Sequence, residues 1–409
     1  MKFLFLVTVL TVLGCSPKEQ VDNDATRDEI LTDNPSKILT NSTPLAVDVD
    51  LNDREPAINA TTIMNADRKI IKLETNNDCL IGEISKVIIE DDKIFIFDAK
   101  IAKKLFCFDL QGKHLFTVGT IGGGPGEMDT PKDFDVTNGK IYIIDRQSRV
   151  FTFTLAGKHQ STLRLPFFTT QLCALNDSSV FYYTGSITES FKYYLTQINE
   201  STVRSFDFPI QSSLVGMYDI PQAFHKRDNR ALFVKFLCDT IFTLSDNKVI
   251  PSYVMNFPGE YSNSVFYSKK ELEKVYSDPN TYGKLFNMHM AETNKDLFFL
   301  SSSNGINYHF LSKNTRKHIF TGSVNDDFLF GGLTFMFPVG SYQEYLIYPI
   351  AMSDMINSYK VLVADARSKG LEEEFKKNYV DFSSLCEGSD EDDNPALLLS
   401  GINPKLYEE

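Results

Sequence analysis

Carboxylates and histidines are the side chains of this 409-residue chain that could hold a metal or move a proton, and some recur at fixed spacing. Asp98 closes the run Lys93-Ile94-Phe95-Ile96-Phe97-Asp98, and Asp145 closes Lys140-Ile141-Tyr142-Ile143-Ile144-Asp145, an offset of 47 residues. Repeated carboxylates at one rim would line a cation or ligand site. The competing reading is local, because an Asp at a strand end accepts hydrogen bonds from its own backbone two residues on. His114 and His159 are also repeat-equivalent, each after a Gly-Lys turn, where a solvated strand start competes with metal ligation. His225, His289, His309 and His318 show no HExxH-like spacing.

The cluster Gly122-Gly123-Gly124-Pro125-Gly126-Glu127 invites a phosphate-cradle reading, since backbone N–H groups ahead of a helix bind phosphate. No Lys-Ser or Lys-Thr follows, Pro125 removes a donor, and Asp129-Thr130-Pro131 leads into a strand. Gly122, Gly124, Pro125 and Gly126 are therefore read as a structural, positive-φ loop between repeats. Glu127 either accepts backbone hydrogen bonds there or contacts a ligand. The acidic run from Glu387 to Asp393 lacks the alternate oxygens and Gly of an EF-hand. No Gly-x-Ser-x-Gly elbow and no sialidase-type Asp box occurs, and the chain has no Trp to stack a sugar. No catalytic residue is assigned and no cofactor is predicted.

A net charge of −13 opposes nucleic acid and anionic lipid headgroups, so no nucleic-acid partner is expected. The six cysteines form no CxxC pair, and no disulfide framework is expected from them. Lys2 precedes an apolar run from Phe3 to Leu13, the length of a signal-peptide core and too short to span a bilayer. It ends Val12-Leu13-Gly14-Cys15, which resembles the lipobox of bacterial lipoproteins. That resemblance implies a signal peptide over residues 1–14 and a lipid on Cys15, hence a membrane partner and a place in the cell envelope on the outer membrane, periplasmic or surface-exposed. Residues 15–53 are rich in Asp, Asn, Ser, Thr and Pro and are read as a flexible tether with an end-to-end distance of roughly 30 Å. The folded domain is then 54–409.

The repeat sets its architecture. Leu110-Gln111-Gly112-Lys113-His114 returns as Leu155-Ala156-Gly157-Lys158-His159, 45 residues on, so whole units recur. Each unit reads as four strands, and Ile94 to Phe97 is apolar without alternation, as expected of a strand covered on both faces. Six units of about 45 residues fill the span from Leu73 to Pro349. The expected fold is all-β, a six-bladed β-propeller of four-stranded antiparallel blades, with a short inserted helix near 268–277 and a C-terminal helical segment near 354–378. Leu397-Leu398-Leu399 is expected to return as a strand.

Several segments resemble the six-bladed β-propeller lipoproteins of the Bacteroidetes, relatives of the NHL-repeat propellers. They are Ile71-Lys72-Leu73-Glu74, Ile81-Gly82-Glu83-Ile84, the Lys-Ile-aromatic-Ile-x-Asp strand, the glycine cluster with Glu127, Cys238-Asp239-Thr240-Ile241 and Asp392-Asp393-Asn394-Pro395-Ala396-Leu397. The resemblance implies fold, location and blade closure by a strand from the opposite terminus. Two functions stay open. One is a non-catalytic binding or scaffolding lipoprotein for a glycan, peptide or envelope protein, with Glu127, Asp98 and Asp145 as ligand candidates. The other is a metal-dependent lyase or hydrolase with calcium or zinc in the central channel.

Overall fold

The computed structural model describes residues 36–38, 42–124, 126–184, 193–199, 202–208, 222–235, 238–246, 248–256, 285–302, 305–330, 333 and 337–408. Among these residues, six four-stranded antiparallel sheets form a ring. Blade 1 holds Lys86–Glu90, Lys93–Asp98, Lys104–Asp109 and His114–Val118, and blade 2 holds Pro131–Thr137, Lys140–Asp145, Arg149–Thr154 and His159–Arg164. Blade 3 runs from Gln171–Asn176 to Thr202–Ser205, blade 4 from Phe224–Arg227 to Lys248–Asn256, and blade 5 from Leu285–Glu292 to His318–Thr321. The first strands of successive blades approach one another around the axis.

The unbroken apolar runs follow from this stacking. Ile94 and Ile96 pack with Ile347, Leu397 and Leu399 of blade 6. Phe95 and Phe97, on the opposite face of the same strand, pack with Phe134, Val136, Ile141 and Ile143 of blade 2. Each residue of the run is buried because each sheet face has a neighbouring sheet.

Blade 6 is assembled from both ends of the domain, in the order Gly340–Tyr342, Tyr345–Ile350, Ala396–Ile402, Met64–Ile71. The C-terminal strand is buried at every position. Between its second and third strands run helices Met352–Ser368, Glu372–Asn378 and Val380–Glu387, so the helical segment is longer than the 354–378 expected. Met352, Met355, Ile356, Tyr359 and Val363 form the buried stripe of the first helix, and it joins Phe382 and Cys386 in the core shared by blades 5 and 6. The helix expected near 268–277 lies outside the described residues.

The assignment of residues 15–53 to a free tether needs correction at its C-terminal end. Leu45–Asp48 is a strand that pairs in parallel with the outer strand of blade 4, Leu45 opposite Tyr253 and Asp48 opposite Asn256. Upstream, Ser36 bridges to Phe206 beside blade 3; downstream, Glu55 bridges to Thr321 of blade 5 and Ile58 pairs with Val324. The segment from 36 to 71 thus follows the rim from blade 3 to blade 6, as a belt over outer strand edges that would otherwise expose unpaired N–H and C=O groups. Val47 and Val49 are the buried residues of this belt, apolar positions in a stretch whose polar composition masked them.

Candidate binding site

The innermost strand of each blade has a sheet partner on one edge only, so N–H and C=O groups on its other edge need partners from across the channel. Blade 2 supplies them to blade 3. Asp133 Oδ2 accepts from Leu172 N at 3.0 Å and Asp135 Oδ2 from Ala174 N at 2.8 Å. The remaining oxygens hold cations from the flanking blades: Lys86 Nζ lies 2.9 Å from Asp133 Oδ1, and Lys226 Nζ 2.7 Å from Asp135 Oδ1. Lys86 also donates to the Phe134 carbonyl at 2.7 Å, and Lys226 to the carbonyls of Ala174, at 3.2 Å, and Val136. Burial disfavours the Lys86 ammonium, but the carboxylates of Asp133 and Asp135 outweigh it and raise its pKa above that of a free lysine.

The other blades are joined by neutral groups. Gln171 Oε1 accepts from Ala223 N at 2.6 Å, His225 Nε2 lies 3.0 Å from Ser341 Oγ, and His289 Nε2 lies 2.5 Å from the Pro338 carbonyl. Blades 6 and 1 meet backbone to backbone, Val87 N donating to the Val339 carbonyl at 2.8 Å, and a Cβ on Gly340 would overlap the Val87 carbonyl oxygen. Burial lowers the pKa of His225 to about 4, so this ring is neutral near pH 7.

A cavity of about 440 Å³ remains along the first strand of blade 1, closed on the far side by blades 2, 4 and 6. Its lining includes the places where first strands turn into second strands. Glu90, Thr137, Arg227 and Tyr342 occupy the same register position there, each opposite the first residue of its second strand. Arg227 is tied down by the Gln343 carbonyl at 2.9 Å and Glu344 at 3.6 Å. A second buried charge cluster lies behind it, where Arg230 and Lys313 hold Glu292; burial alone would raise the Glu292 pKa, and the two cations reverse that and lower it.

The candidates singled out in the sequence lie elsewhere. Asp98 and Asp145 sit at the ends of second strands opposite the hairpin turns, fully buried. Asp98 accepts from the N–H groups of Gly82, Glu83, Lys100 and Ile101; burial alone would raise its pKa, and these bonds lower it. Asp145 accepts from Gln147, Arg149 and Asp129 N–H groups and from the Arg149 guanidinium, at 2.7 and 2.9 Å. Both are loop staples. Glu127 Oε2 accepts from Gly124 N at 2.7 Å, the bond expected of a structural residue. The positive-φ reading of the glycines holds only for Gly126, at +77°. At Gly122 and Gly124 the φ is not positive, and a Cβ on either would crowd the Glu127 carboxylate, which would have to shift. Pro125 and Cys15 lie outside the described residues. His114 and His159 pack edge-on to Phe108 and Phe153 at equivalent places in blades 1 and 2. Among the described residues no three His, Cys, Asp or Glu side chains converge as a metal site, and the five described cysteines are free thiols.

Lys86, Asp133, Asp135 and Lys226 drew no attention in the sequence, although a signal was present. Lys86 and Asp133 stand 47 residues apart, the offset of the strand repeat, with opposite charge at the same place in neighbouring blades. Asp133 and Asp135 alternate along a strand, which puts both on one face.

Comparison with known proteins agrees with this architecture. A protein of Bacteroides fragilis described as exported has a solved structure that superposes with a TM-score of 0.67 at 20% identity, over 88% of this chain and 100% of that one. The extracellular domain of a one-component system from B. thetaiotaomicron aligns with a TM-score of 0.38 at 10% identity, over 63% of this chain and 30% of that one. The structure of YCF48 bound to D1 peptide gives 0.34 at 10%, over 62% of this chain and 73% of that one. No curated protein matches the chain. A family model does match, over residues 46–400, which run from within the belt strand through the blades to within the closing strand. The chain belongs to the family described as Domain of unknown function (DUF4934).

Proposed function

We propose that this protein is a lipid-anchored, extracytoplasmic binding protein that holds a peptide, glycan or envelope-protein ligand at the mouth of its central channel. The observation that carries the reading is the state of the channel wall. Asp133, Asp135, Lys86, Lys226 and Arg227 are each fixed by partners on other blades, which gives a rigid pocket and leaves none of them poised to exchange a proton. His225 is neutral and bonded to Ser341, a positioning contact rather than a base facing open space. A rigid polar cavity with one aromatic side chain, Tyr342, suits recognition. The lipid on Cys15 and the Bacteroidetes lipoprotein likeness rest on the sequence, and the exported relative from B. fragilis is consonant with them.

Purified full-length protein titrated with peptide and glycan panels is expected to show saturable binding without turnover, weakened at least tenfold by Tyr342→Ala. The proposal fails if a panel member is converted to product and His225→Ala or Glu292→Gln abolishes that conversion in a folded protein.

A further inference from the structure

We infer that the channel mouth recognises a cationic group, a primary ammonium or guanidinium on the ligand, and that Glu90 is the residue that selects it. The inference rests on reading the channel as the binding site and adds the chemistry of what enters.

The first step is an accounting of charge around the cavity. Three cations line it, and each is engaged inside the protein: Lys86 by Asp133, Lys226 by Asp135, and Arg227 by Glu344 and the Gln343 carbonyl. Glu90 lines the same cavity, only partly exposed, and among the described residues its carboxylate has no hydrogen bond or ion pair. Lys93, its neighbour across the hairpin, points its ammonium at the Asp91 carbonyl instead, at 3.3 Å. Gln222 Oε1, on the wall contributed by blade 4, is a second acceptor without a donor. Among the described residues, the wall's unfilled capacity thus includes a carboxylate at the mouth and a carbonyl oxygen, against one buried donor, Arg227 Nε, on a guanidinium whose charge Glu344 already meets.

The rim has the same sign. The six turns between first and second strands carry Asp91 and Asp92, Asp177, Asp228, and Glu344, against Lys295; Lys140 pairs with Asp177 and Arg227 with Asp228 and Glu344, which leaves Asp91 and Asp92, next to Glu90, without an ion pair among the described residues. Acidic turns around a concave opening concentrate negative potential at its centre. Tyr342 stands at Glu90's register position on the adjoining blade, and an aromatic ring beside a carboxylate suits an ammonium or guanidinium better than a neutral polar group.

Glu90 also has no structural reason to be acidic. Burial disfavours its charged form, and Asp135 and Asp91 repel it, so its pKa is raised although Lys226 lies near. A glutamine of the same shape would remove that cost. A residue that costs stability, with no hydrogen-bonded partner among the described residues, is placed for a partner outside the fold.

The test uses the full-length protein and three blocked tripeptides, N-acetylated and C-amidated Gly-Lys-Gly, Gly-Gln-Gly and Gly-Glu-Gly, so that only the central side chain carries charge. Calorimetric or NMR titration is expected to show the Lys peptide binding about tenfold or more tightly than the Gln peptide. Glu90→Gln should remove that preference while leaving the melting temperature unchanged or higher. If the Gln or Glu peptide binds as well as the Lys peptide, or Glu90→Gln binds the Lys peptide undiminished, the cation inference is overturned and a binding channel survives. If none of the three binds, the cation inference is overturned, and the binding channel stands or falls by the peptide and glycan panels.

Discussion

Asp133 and Asp98 are both buried aspartates that accept backbone N–H bonds, yet they differ in what they join. Asp98 closes a loop within its own blade, and the rule that strand-end aspartates satisfy nearby backbone made that legible from sequence. Asp133 bonds across to another blade and pairs with a lysine 47 residues away, and only the ring brings those groups together. Local chemistry could be read from the chain; chemistry between blades could not. The same holds for His309 and His318. Ser301 Oγ lies 2.7 Å from His309 Nε2, His309 Nδ1 lies 3.0 Å from His318 Nε2, and His318 also bonds to the backbone of Asp48. One proton serves the bond between the two rings, so they cannot both be cationic, and burial favours the neutral form of each. Burial pushes the pKa of His318 down to about 4 and that of His309 well below its usual value. The unfolded chain takes up protons first as pH falls, so this contribution is complete above about pH 6.5 and is lost as pH falls towards 4. One such histidine accounts for about 2 kcal/mol between pH 6.5 and 5. Urea midpoints should therefore fall over that interval, and less steeply in His318→Phe; an identical slope in the variant would contradict the assignment.

At the scale of elements, the stacked sheets made the strands legible, because runs such as Ile94 to Phe97 can be apolar on both faces only between two neighbours. Motifs quoted for the family resemblance prove to be staples. Asn394 accepts from Ile81 N and donates to the carbonyls of Glu74 and Cys79, which ties the closing strand to the approach to blade 1. Gly82 and Glu83 offer their N–H groups to Asp98, and a Cβ on Gly82 would collide with Ile101. The belt strand escaped notice because Leu45, Val47 and Val49 are three apolar residues spaced by two within a polar stretch, too short a pattern to outweigh its surroundings. Val47→Asp puts a charge into that contact. The expected result is new protease cleavage between residues 42 and 56 while the six blades keep their far-ultraviolet spectrum. Cleavage unchanged from the parent protein would show that Val47 does not hold the belt.

Across the whole molecule, charge and anchor divide the work of location. With a net charge of −13, attraction to anionic headgroups would not hold the protein at a membrane, so the proposed lipid on Cys15 would have to. Cys15→Ala is expected to move the protein into the soluble fraction and to abolish labelling by a clickable fatty acid. Continued membrane association of the unlabelled variant would overturn the anchor. The disc itself also sets where that anchor can act. Because the belt follows the rim from blade 3 to blade 6 before entering the ring, tension on the N-terminus would reach the rim contacts first. A pull from the membrane would then unzip short parallel pairs one after another, like tape lifted from an edge, before any blade carried load.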